Sequence, residues 1–109
     1  MVDYKKLTDD LIKASSAAEK AAVGDDGGSA NCDRLMLFLP RAREDRVITS
    51  IIEAGLHCRG KGRTFFGKAC YYISPNCGGQ GNSRYRAVQA LEKSMEADGW
   101  KVSVHYQID

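Results

Sequence analysis

Trp100-Lys101-Val102-Ser103-Val104-His105-Tyr106-Gln107-Ile108 alternates strictly between apolar and polar side chains. Val102, Val104, Tyr106 and Ile108 fall on one side and Lys101, Ser103, His105 and Gln107 on the other, the period-two signature of a β-strand with one buried face. A sheet of such strands needs covering on one side only, and helices supply the cover. Immediately upstream, Tyr85, Val88, Leu91 and Met95 recur at helical spacing and point inward, so residues 83–98 are predicted as a helix that Gly99 ends. Before it lie two predicted strands, residues 57–60 and 63–73, separated by Gly60-Lys61-Gly62 turn chemistry; the second is rich in β-forming Thr, Phe, Tyr and Ile. Residues 34–39, Arg-Leu-Met-Leu-Phe-Leu, form a short apolar run stopped by Pro40 and read as another strand.

Two more helices complete the chain. Val47, Ile48, Ile51, Ile52 and Leu56 form a stripe over residues 41–54 with Gly55 as C-terminal cap. Tyr4, Leu7, Leu11, Ala14, Ala18 and Ala22 form another over residues 3–23, opposed by Lys5, Lys6, Asp9, Asp10, Lys13, Glu19 and Lys20. The second stripe narrows to alanines, which allow a helix or a second subunit to approach closely, although alanine also serves helix propensity alone. The order α-β-α-β-β-α-β predicts one small α+β domain with an antiparallel-dominated sheet and helices on one side.

At 109 residues there is room for one core. With 43% hydrophobic and 28% charged residues, the composition excludes a disordered chain. Folding at this length buries about two thirds of the extended surface, which makes a homo-oligomer an expected source of further stability. No apolar run reaches the roughly 18 residues of a membrane span, and the N-terminus leads into an amphipathic helix instead of a signal-peptide core, so a cytoplasmic protein with no membrane partner is expected.

The net charge of +2 conceals a segregation. Residues 57–86 contain no Asp or Glu, yet hold Arg59, Lys61, Arg63, Lys68, Arg84 and Arg86. The same block has six of the eleven glycines together with Phe65, Phe66, Tyr71, Tyr72 and Tyr85. Cations, planar rings and close-approach backbone suit an anionic ligand with a flat aromatic part, such as a nucleotide; the structural alternative is a basic solvated hairpin carrying some core aromatics. Within the block, Cys77-Gly78-Gly79-Gln80-Gly81-Asn82 opens a helix after a strand. Helix starts expose N–H groups and partial positive charge, and glycines let a phosphate approach, although Gly-rich connections are also ordinary turns. The loop lacks the Lys-Ser/Thr pair of a Walker loop and the spacing of a dinucleotide fingerprint. Asn82 or Ser83 can cap the helix, or Asn82 can turn its amide to a ligand. Arg84 and Arg86 oppose the helix dipole unless an anion compensates them. In each aromatic pair one ring is expected to face away from the core, where it could stack on a purine.

Cys32, Cys58, Cys70 and Cys77 match no zinc template and are read as reduced, mostly buried thiols, with a metal site at His57, Cys58, Cys70 and Cys77 as the lesser alternative. His105 is expected to point outward. No Ser/His/Asp order or paired-carboxylate motif occurs, and no cofactor is expected; the residues favour holding a ligand over catalysis.

Asp26-Gly-Gly-Ser-Ala-Asn-Cys-Asp33, Gly79-Gln80-Gly81-Asn82 and Tyr106-Gln-Ile-Asp109, with Ala54-Gly55-Leu56 and Phe66-Gly67 in matching order, resemble the first family of Thoeris anti-defence proteins of phages and prophages. Cys32 and Ile108 stand where an aromatic and a Met are usual. The resemblance implies a non-catalytic sponge for glycocyclic ADP-ribose isomers made by bacterial TIR-domain enzymes, acting in the infected or lysogenic cell. It also implies pockets between subunits of a hexameric or dimer-based assembly, and, for some members, cyclic trinucleotides of CBASS defence at a separate site. By motif, Asn82 is carried over as a ligand-gripping amide. Tyr72 is the first choice for the gripping ring, with Tyr71 and Phe66 as alternatives. The remaining expected contacts are Gln80, Gly81, Arg63, Arg84 and Arg86. Two other classes fit the residues: a small nucleotide-hydrolysing enzyme with His57 or Asp33 as base, and a single-stranded RNA-binding module.

Overall fold

A computed structural model of the chain describes residues 2–23, 33–64, 67–75 and 82–105, with the backbone alone for Asn82. The elements are α1 (Tyr4–Ala22), β1 (Arg34–Leu37), α2 (Glu44–Glu53), β2 (Lys61–Arg63), β3 (Ala69–Ile73), α3 (Asn82–Ala97) and β4 (Val102–His105), the order expected from the sequence. The four strands form one antiparallel sheet in the order β2-β3-β1-β4. Leu35 lies opposite Ile73 and Val104, and Leu37 opposite Tyr71 and Val102. These partners carry the buried face of the sheet, and Leu35, Leu37, Tyr71 and Ile73 join Leu7, Leu11, Ala14, Ala18, Val47, Ile51, Ala87, Leu91 and Met95 in one core. Alternation sends Arg34, Met36, Tyr72, Ser103 and His105 to the other face, where each stays half-buried.

α1 starts where the side chain of Asp3 accepts from the Lys6 amide at 3.0 Å. Its alanine stripe is explained within the chain: Ala14 and Ala18 are fully buried, and α1 makes its most extensive packing with α3. α2 is shorter than the expected 41–54, because its start waits on the turn after Pro40, where the Tyr4 hydroxyl accepts from the Arg43 amide at 2.8 Å. Gly55 and Gly99, at φ 79° and 93°, follow α2 and α3 in the left-handed conformation that glycine adopts without strain.

Three expectations need correction. Tyr85 was expected inward, yet it is 44% exposed, while Ala87 is buried with Val88, Leu91 and Met95. At 3.6 residues per turn the buried arc runs through Ser83, Ala87, Leu91 and Met95, and Tyr85 falls outside it. Gly60-Lys61-Gly62 is not the turn between strands. Lys61 to Arg63 are β2 itself, and the chain reverses between Thr64 and Lys68, with Thr64 N donating to Lys68 O at 2.8 Å and Gly67 N to Thr64 O at 2.9 Å, Gly67 being at φ 84°. The expected strand over residues 57–60 reduces to a single bridge between His57 and Ser74. Within the described residues β4 covers Val102–His105, and the expected continuation through 108 lies outside them. Among the described residues no helix is long and apolar enough to cross a membrane.

Candidate ligand cleft on the open sheet face

A cleft of about 580 Å³ opens beside the β2-β3 edge, walled by residues on the approach to β2, the start of β1, the end of β3 and the first turn of α3. Its cations come from four places. Arg34 heads β1, Arg59 precedes β2, Lys61 begins it, and Arg84 is the third residue of α3. His57, Tyr72, Ser74 and the glycines 60 and 62 complete the described lining, which contains no carboxylate. Four positive charges without a carboxylate in one concave wall create a field that attracts anions.

Local contacts hold the key side chains. Arg84 Nε donates to the Asp33 carbonyl at 3.0 Å, and its Nη2 lies 3.5 Å from Ser74 Oγ. Both partners are neutral oxygens, so these contacts fix the guanidinium without cancelling its charge. The Tyr72 hydroxyl donates to the Arg63 carbonyl at 2.9 Å, which draws the ring over β2. A Cβ on Gly62 would stand 3.0 Å from Tyr72 Cδ2, so the bare glycine is what admits the ring. The guanidinium carbon of Arg34 lies 4.5 Å from the Tyr72 centroid, within cation–π range, and His105 meets the ring edge-on at 5.5 Å and 75°. Burial, then the neighbouring Cys70, push the Tyr72 phenol above its ordinary value, so it stays a neutral donor.

Of the residues expected at the site, Tyr72 and Arg84 come together in the cleft. Asn82 opens α3 two residues before Arg84, and its side chain, like Gln80, Gly81 and Phe66, lies outside the described residues. Tyr71 is 1% exposed and faces the core while Tyr72 looks away from it, which settles the orientation of that pair. Arg63 and Arg86 do not line the cleft. Arg63 Nη1 donates to the Gly67 carbonyl at 2.9 Å, bracing the hairpin turn. Arg86 Nε donates to the Ala21 carbonyl at 2.9 Å and Nη2 to that of Ala22 at 3.4 Å. Asp33, weighed as a base, is 2% exposed and serves through its carbonyl; His57 lines the cleft.

The sequence reading missed Arg34, Arg59 and Lys61 as site residues. Arg59 and Lys61 were visible only as members of the acid-free block. Arg34 carried a sharper signal, since alternation from buried Leu35 puts the first residue of β1 on the open face. Cys58 and Cys70 are buried free thiols, and burial pushes both above the ordinary thiol value, so neither is poised as a nucleophile. No group of three His, Cys, Asp or Glu side chains able to hold a metal occurs among the described residues. No protein-family model, curated protein or solved structure matches the chain.

Proposed function

We propose that the protein is a non-catalytic sponge that captures cyclic ADP-ribose isomers made by TIR-domain enzymes and thereby blocks bacterial immunity from within the cytoplasm of an infected or lysogenic host cell. The observation that carries this reading is the convergence of Arg34, Arg59, Lys61 and Arg84 with Tyr72 in one cleft whose described lining has no carboxylate. Such a ligand combines a pyrophosphate for the cations with an adenine for a planar stacking surface. The Gly79-Gln80-Gly81-Asn82 motif of the resembled family ends two residues before Arg84 in sequence, close enough along the chain for its amides to reach the same ligand.

Sequestration needs high affinity and slow release. The described part of the cleft is open, and a second copy of the chain closing over it would enclose the ligand. A homo-oligomer with ligand between subunits is therefore part of the proposal, and cyclic trinucleotides are a second ligand class for the assembly.

The test is to mix the protein with a TIR-made isomer, remove the protein by filtration, and then denature it. Capture predicts depletion from the filtrate and intact recovery after denaturation; a hydrolysed product would mean an enzyme. Titration with a single-stranded oligonucleotide across salt concentrations separates an RNA-binding module, which would show a steep negative slope.

A further inference from the structure

Tyr72 does not present a bare ring to the cleft, because the Arg34 guanidinium already lies over it. We infer that Arg34, backed by Tyr72, is the planar surface on which the base of a captured nucleotide stacks, and that Tyr72 is its positioning residue. The inference rests on the proposal that the cleft takes a nucleotide, and adds which side chain reads the base.

The stack is assembled from both sheet neighbours. Arg34 pairs across β1 with His105 on β4, while Tyr72 on β3 pairs with Met36, one position along the open face from Arg34. His105 abuts the Tyr72 ring edge-on, and the bond from the Tyr72 hydroxyl to the Arg63 carbonyl holds the far end of the ring over Gly62. The ring is thus held at its edge and at its hydroxyl, and it offers a fixed face for Arg34 to lie on. A guanidinium can stack with an aromatic on one face and a base on the other. A lysine has charge but no plane. That difference makes the role testable.

The experiment is calorimetric titration of the full chain with a TIR-made cyclic ADP-ribose isomer, using the wild type, Arg34→Lys, Arg34→Ala and Tyr72→Phe, with thermal melts of each protein without ligand. Stacking on Arg34 predicts that Arg34→Lys loses about tenfold or more in affinity, close to Arg34→Ala, within the range of one lost base stack. Its ligand-free melting temperature is expected to stay within a few degrees of wild type, and Tyr72→Phe, which keeps the ring, to lose less than Arg34→Lys. The adenine absorbance is expected to fall on binding to wild type and to fall less with Arg34→Lys, a signature that a purely structural role would not give. Wild-type affinity in Arg34→Lys would overturn the inference while leaving the sponge standing. Absence of binding by the wild type would overturn both.

Discussion

Arg86 Nε donates to the Ala21 carbonyl at 2.9 Å, so the first turns of α3 hold the last turn of α1. The final carbonyls of a helix lack intrahelical donors and carry the negative end of its dipole, and a guanidinium satisfies both. The sequence reading placed this arginine against a ligand because a cation near a helix start opposes that helix's own dipole. The C-terminus of α1 supplies the missing compensation. Arg86→Ala is expected to destabilise the fold by about 1–2 kcal/mol, the scale of a partly buried hydrogen bond from a charged group. Ligand affinity should change less than in Arg84→Ala. Urea unfolding and ligand titration of both variants separate the two roles.

Gly62 is the seat of the Tyr72 ring. A methyl group there would meet the ring at 3.0 Å, closer than side chains pack without movement. Gly62→Ala should displace Tyr72 and with it Arg34, lowering ligand affinity by about tenfold, or about 1.4 kcal/mol. Any loss of fold stability should stay within the roughly 1–3 kcal/mol of an overpacked site. Unchanged affinity in the titration would mean that the ring position is unimportant for binding.

Asn82 begins α3 and is the residue most directly carried over from the resembled family. If its amide grips the ligand, Asn82→Ala weakens capture by about 1–3 kcal/mol. An unchanged affinity combined with a lower melting temperature would make it a helix cap alone.

The order of elements was legible because each amphipathic pattern has its own period: 3.6 in Leu7, Leu11, Ala14 and Ala18, and two in Val102 and Val104. Both sets are buried or half-buried as that reading requires. The hairpin was misread for a physical reason. Gly60, Gly62 and Gly67 are alike as letters, but Gly67 bends the chain, while Gly62 makes room for a ring ten residues away in sequence. Long-range demands of that kind leave no local pattern. Alternation from Leu35 gave the face on which Arg34 lies but not its neighbours, since Tyr72 and His105 come together only when β1 pairs with both β3 and β4. Eight of the nine described lining residues fall in the 57–86 block, while Arg34 and its meeting with Tyr72 required the sheet register.

The alanine stripe of α1 gives a stability prediction independent of ligand. Ala18 is fully buried in the core where α1 packs on α3. Ala18→Leu adds a side chain with no space to enter and is expected to cost about 1–3 kcal/mol. A thermal melt measures it. A variant as stable as wild type would mean that the helices can separate without loss.

Alkaline pH should weaken the fold. Burial raises the thiols of Cys58 and Cys70 above their ordinary value of 9.0, and raises the Tyr71 phenol, whose oxygen is buried with no hydrogen-bond partner among the described residues, above 10.0. The folded chain therefore keeps protons that the unfolded chain releases. Above the unfolded thiol value the unfolded state binds fewer protons, so unfolding free energy falls as pH rises, by up to about 1.4 kcal/mol per pH unit for each group that titrates only when unfolded. Below that value all three groups are protonated in both states and contribute no slope. Urea midpoints measured from about pH 8 to about pH 11 should be level at first and then decline, and replacing both Cys58 and Cys70 by Ala should move the onset upward, toward the phenol range. A midpoint that stays level across the whole interval, or a decline untouched by the double replacement, would show that these buried groups are not its source.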